Sequence, residues 1–123
     1  MSEAEARKVL EEFLAGFNAR DDEAIRRTLN YPHVRFASGR VDIVKEPSSF
    51  KIPYNLLIEY EGWDSSTLDS IEPIHVTDTK VHFKIEFSRY KADGSKYVTH
   101  QALYIVTKQD GHWGLICRSS FAP

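Results

Sequence analysis

Between positions 81 and 88, Val81, Phe83, Ile85 and Phe87 alternate with His82, Lys84, Glu86 and Ser88. That period of two is the pattern of a strand with one buried face. Two Asp-Gly pairs, Asp93-Gly94 and Asp110-Gly111, supply the positive backbone angles of tight hairpin turns, so residues 81–121 read as a meander of three antiparallel strands. The apolar face needs a cover. Upstream, Ala6, Val9, Leu10, Phe13, Leu14 and Phe17 recur with the spacing of one helical face, behind a capping box of Ser2 and Glu5. The opposite face of that helix carries Glu3, Arg7 and Glu11 with Lys8 and Glu12, charges spaced to pair in solvent.

Asp21 or Asp22 caps a second short helix with Ile25 and Leu29 on its apolar edge, and Asn30-Tyr31-Pro32 ends it. A small hairpin follows over 33–37 and 41–44, with Val34 and Phe36 on one face and His33 and Arg35 on the other. After a loop over 46–52, Pro53 opens a third helix, Gly62 stops it and Trp63 anchors the chain. Residues 67–76 read as a long strand in which Pro73 cannot donate to a ladder, which places it at a sheet edge or a bulge. The expected fold class is α+β, in one domain over 1–123.

Charge and cysteine usage narrow the partners. Sixteen basic against eighteen acidic residues leave a net charge of −2, which gives no electrostatic reason to approach a phosphate backbone. No nucleic-acid or membrane partner is expected: the longest apolar run, residues 102–106, cannot span a bilayer, and the N-terminus lacks the features of a signal peptide. Cys117 stands alone, which excludes an intramolecular disulfide and suits a reducing, cytoplasmic location. The five histidines show no close ligand spacing, so no metal is expected, and with no dinucleotide or phosphate-loop fingerprint no cofactor is expected either.

Hairpin register decides which polar groups face inward. A two-residue turn at Asp93-Gly94 sets Phe87 opposite His100, Ile85 opposite Ala102 and Phe83 opposite Tyr104, whereas a three-residue loop sends His100 to the other face. The turn at Asp110-Gly111 likewise decides whether Arg118 or Ser119 shares a face with Tyr104. Arg118 among Ile116 and Phe121 is costly to bury unpaired, so it calls for a carboxylate, another subunit or an anionic ligand.

Three stretches carry a family resemblance: residues 13–22 with Phe-Asn-Ala-Arg-Asp, residues 29–39 with Tyr-Pro-His-Val-Arg-Phe, and residues 108–121 with Asp-Gly-His-Trp-Gly-Leu. With the order helix, helix, hairpin, helix and four long strands, the chain resembles the NTF2-like superfamily, which includes SnoaL-like and ketosteroid-isomerase-like proteins. It is closest to uncharacterised bacterial members. The resemblance implies a cystatin-like cone of N-terminal helices on a curved, mainly antiparallel sheet, dimerisation through that sheet, and a small organic ligand in the cone. The carboxylate base of the steroid isomerases has no counterpart in His33-Val34-Arg35-Phe36-Ala37, and Asp42 on the neighbouring strand reads as solvated. Should the protein be an enzyme, cofactor-free isomerisation or dehydration is the expected chemistry. His33 or His100 would then move the proton, and Tyr54, Tyr104 or Arg118 would orient an oxygen, with Trp63 beside the ligand. The rival expectation is a dimerisation or protein-interaction module whose cone is filled by its own aromatic side chains. The apolar sheet face carrying Leu103, Ile105 and Ile116 is the expected dimer surface.

Overall fold

The structure, a computed structural model, describes residues 2–123. Helix α1 (Ser2–Asn18) lies across the inner face of the sheet and buries Ala6, Val9, Leu10 and Phe13 there, as its apolar spacing requires. Ser2 is already helical, one residue inside the expected cap. Helix α2 (Asp22–Arg27) is capped by Asp21, whose carboxylate accepts the Ala24 N–H at 3.1 Å. Gly16 faces Ile25 at the crossing of the two helices. Helix α3 (Tyr54–Glu61) follows Pro53 and ends at Gly62, whose φ of 70° is the left-handed conformation of a helix stop.

Six strands form one sheet: β1 (Leu29–Phe36), β2 (Val41–Val44), β3 (Trp63–Val76), β4 (Lys80–Lys91), β5 (Lys96–Gln109) and β6 (His112–Ser120), in the order β2-β1-β6-β5-β4-β3. All neighbours are antiparallel except β1 and β6. Edge strand β3 tolerates Pro73 because one side of the strand has no partner, and its register slips three times along β4. Val81, Phe83, Ile85, Ala102, Tyr104, Val106 and Leu115 form the sheet's side of the core.

Two element boundaries depart from the sequence reading. The segment from Leu29 to Pro32, expected to end α2, is the first half of β1: Leu29 pairs with Leu115 and buries its side chain. A slip between Leu29 and Val34, with a cis Tyr31–Pro32 bond inside it, breaks the alternation that would have marked the strand. Likewise β3 begins at Trp63, four residues early, because the indole packs inward and donates to Ser66 Oγ at 2.9 Å.

The registers reach the expected pairs by an unexpected route. Phe87 faces His100, Ile85 faces Ala102 and Phe83 faces Tyr104. Yet the connecting loop has three residues, 92–94, closed by Lys91 N–H to Ser95 O, and Tyr97 bulges out to restore the pairing. Asp110 and Gly111 both have positive φ in a true two-residue turn, which on its own would set Cys117 opposite Tyr104. A bulge at Ile116 moves the ladder by one residue and puts Arg118 there instead. Ile116 thereby loses its expected place opposite Ile105 to Cys117.

Candidate functional site

A chamber of about 50 Å³ in the cone adjoins a cleft of about 600 Å³. Phe13, Leu14, Leu68 and Phe87 make the chamber apolar, and Tyr104 adds a hydroxyl with no hydrogen-bond partner among the described residues. The cleft runs between β1, β2 and the segment leading into α3, past Val44, Phe50, Ile52 and Leu57. Four residues line both spaces: Phe17, Arg35, Arg89 and Arg118. Three arginines, the collar, thus border both spaces.

These arginines are not equivalent. Arg89, at the inward position after Phe87 on β4, gives two hydrogen bonds to Glu61 at 2.9 and 3.2 Å, and the Tyr97 hydroxyl donates to the same carboxylate at 2.8 Å. Arg35 lies 3.5 Å from Asp42, which is shared with Arg40 at 3.0 Å, and also donates to the Pro123 carbonyl. No carboxylate among the described residues comes within salt-bridge distance of Arg118. Its Nε–H donates to His33 Nε2 at 3.1 Å and its guanidinium stands 5.0 Å from the Phe13 ring centre. Arg118 is half-buried and keeps surface toward the cavities. Burial, joined by the field of Arg35, pushes its pKa down to about 10.

His33 is fully buried beneath this collar. Its Nδ1 lies 2.9 Å from the Leu115 carbonyl and must carry the proton, leaving Nε2 as the acceptor for Arg118. Burial first, then the Arg118 charge, hold its pKa down at about 3 against the support of the Leu115 carbonyl. Both ring nitrogens are thus engaged within the fold. His100 reaches the inner face as its register requires, with its ring 5.3 Å from Phe87, but lines neither the chamber nor the cleft. Burial and the Arg89 charge lower its pKa.

Tyr104 and Arg118 are cross-strand neighbours in the chamber wall, with the Tyr104 pKa raised by burial. Tyr54 and Trp63 lie elsewhere: they stack at 6.2 Å, and Phe17 packs edge-on to both, filling the α3 side of the cone. The Tyr54 hydroxyl and Asp22 Oδ1 are buried without a hydrogen bond of good geometry, and burial, with the nearby Asp22 charge, raises the phenol pKa. The structure therefore brings His33, Tyr104 and Arg118 together and leaves His100, Tyr54 and Trp63 outside that group. Sequence reasoning missed Arg35 and Arg89 as site residues. Both carried a signal: Arg35 shares a face with His33, and Arg89 continues the inward row of Val81, Phe83, Ile85 and Phe87.

Among the described residues no group of three or more His, Cys, Asp or Glu side chains is placed to hold a metal ion. No helix is long and apolar enough to cross a membrane.

Helices on one face of a curved, open sheet, enclosing an off-centre cavity, define a cone-shaped α+β domain of the cystatin-like class. The chain belongs to the NTF2-like proteins: the family model described as NTF2-like protein (DUF6841) matches residues 3–120. A protein of unknown function with a cystatin-like fold from Nostoc punctiforme superimposes with a TM-score of 0.79 at 11% identity, over 98% of this chain and 90% of that one. An NTF2-like protein of unknown function from Pseudomonas putida gives 0.75 at 16% identity, over 100% and 89%. The putative calcium/calmodulin dependent protein kinase II association domain from Xanthomonas campestris gives 0.65 at 15%, over 93% and 82%. Such identities establish the fold alone. No curated protein sequence matches the chain.

Proposed function

We propose that the protein binds a small, partly apolar organic molecule in its cone. The observation that carries this reading is the 600 Å³ cleft, which shares Phe17, Arg35, Arg89 and Arg118 with the adjoining apolar chamber. Apolar walls with a few convergent polar groups are the usual makeup of a ligand site. Binding is better supported than turnover. His33, a candidate for proton transfer, has both nitrogens committed to Leu115 and Arg118, and His100 borders neither space. In this reading His33 is a positioning residue that orients Arg118. Ligand-detected NMR with a fragment library tests the proposal. Hits should disappear in Leu57→Trp, which plugs the cleft; hits indifferent to the plug, or none at all, would count against it.

The second reading, association through the sheet, has its own observation. Across β5, β6, β1 and β2 the pairing aligns Leu103, Ser119, Phe36 and Val41 in one row and Ile105, Cys117, Val34 and Ile43 in the next. On this outer face Leu103, Phe36, Val41 and Ile43 are 43–60% exposed. A second copy of the chain is the proposed partner, since a row of this kind is self-complementary across a two-fold axis. The xanthomonad neighbour, by its printed description an association domain, is consistent with such a use of the fold. The two readings meet at β2, whose Val41 and Ile43 also border the cleft, whereas Leu103 and Phe36 border neither space.

A further inference from the structure

The charges around the collar do not cancel. Glu61 is occupied by Arg89 and Tyr97, and Asp42 is divided between Arg35 and Arg40. The cations around the collar thus outnumber its two carboxylates, and Arg118 is the one with no carboxylate within salt-bridge distance; among the described residues its one hydrogen-bond partner is the uncharged His33 ring. A partly desolvated guanidinium without a counter-charge is expensive to maintain, and a ligand's negative charge would offset that cost.

The geometry around Arg118 is that of a prepared donor. Its Nε edge is held by His33, which is itself fixed by the Leu115 carbonyl, and the Phe13 ring supports the guanidinium 5.0 Å away. The Nη groups make no hydrogen bond among the described residues, and the residue lines both the chamber and the cleft. Across the ladder stands Tyr104, whose hydroxyl also has no hydrogen-bond partner among the described residues. Planar paired donors of this kind match a carboxylate, and a hydroxyl beside them can donate to the same group.

We propose that the cone takes a small amphipathic monocarboxylate, with its carboxylate at Arg118 and Tyr104 and its apolar body in the outer cleft. This rests on the small-molecule reading above. A single carboxylate matches Arg118, the one collar guanidinium with no carboxylate within salt-bridge distance. Val44, Phe50, Ile52 and Leu57 offer the body a dry wall, while exposed Arg40 and Lys51 at the mouth draw an anion inward.

Calorimetric titration of the full chain with two matched pairs, octanoate with octanamide and phenylacetate with phenylacetamide, tests the proposal and distinguishes an alkyl from an aromatic acid. At least one acid should bind saturably, and its amide should bind at least about tenfold more weakly. Arg118→Gln should remove that preference, bringing the acid down to the affinity of the amide. Should Arg118→Gln fail to fold, the acid-to-amide ratio of the wild type decides alone. An amide that binds as tightly as its acid overturns the carboxylate assignment but leaves the small-molecule reading standing. Binding of neither member of either pair overturns the carboxylate assignment, and a blank fragment screen alongside would remove the small-molecule reading too. Inorganic phosphate displacing the bound acid at equal concentration would overturn the monoanion.

Discussion

The same three strands, β1, β6 and β5, build two contrasting regions about the bulge at Ile116. On the hairpin side Asn30 fills the space beside Gly114, where an added Cβ would lie 2.6 Å from the Asn30 side chain and 2.8 Å from its backbone nitrogen. The Asn30 amide donates to the Thr107 carbonyl, the Thr107 hydroxyl and the His112 carbonyl at 2.8–3.2 Å, and its oxygen faces His112 Nδ1 at 2.7 Å. The side chain is fully spent on the fold. On the other side of the bulge Arg118 and Tyr104 keep donors unspent, facing a cavity. Buried polar groups that are all satisfied specify structure, while those left unsatisfied toward a cavity are available for a ligand.

The sharpest way to break this contrast is at Gly114. Gly114→Ala forces the new methyl against the Asn30 backbone, which cannot rotate away, and should cost about 3 kcal/mol in chemical denaturation. A loss below about 1 kcal/mol would mean that the hairpin side is not the rigid region described.

His33 gives the next effect, through pH. Its pKa is about 3 in the folded protein against the ordinary imidazole value of 6.5, so between these limits the unfolded chain holds the extra proton. The associated stability is present above pH 6.5 and is lost as pH falls toward 3, with a slope approaching about 1.4 kcal/mol per pH unit. His33→Gln should flatten the urea-derived stability curve from pH 6.5 down to about 5, above the range where carboxylates dominate. An unchanged slope would contradict a buried, neutral His33.

Arg118→Gln should move stability by less than about 1 kcal/mol in either direction, because it removes a charge that has no ionic partner. A loss of about 3 kcal/mol or more would instead make Arg118 a structural residue like Asn30. The smallest effect on folding is expected on the outer face. Ile43→Glu, at a residue 60% exposed, should leave the monomer's stability within about 0.5 kcal/mol of wild type while converting a sedimenting dimer to monomer. Wild-type protein that sediments as a monomer at micromolar concentration would end the association reading.

The sequence made the hairpin-side architecture readable and left the collar hidden for a specific reason. Alternation at Phe83 and Ile85 marks a buried strand face directly, and Asp110-Gly111 encodes its turn through positive φ. Bulges have no comparable signature. The extra residues Tyr97 and Ile116 look like ordinary strand residues, yet the first restores the pairing of Phe87 with His100 after a three-residue loop, and the second delivers Arg118 to the chamber. Arg35 shares a face with His33 and Arg89 extends the row of Phe83, Ile85 and Phe87, but their convergence depends on the parallel pairing of β1 with β6, a contact between distant segments. The first half of β1 stayed hidden because Pro32 resembles a helix terminator when its partner strand is unknown.

The most direct measurement is a titration of isotope-labelled protein with phenylacetate and octanoate, followed at the Arg118 Nε–H and Asn30 side-chain amide signals. The account predicts a saturable shift at Arg118 with one of the acids and a stationary Asn30 signal. No saturable shift at Arg118 with either acid, or equal movement of both signals, would contradict it.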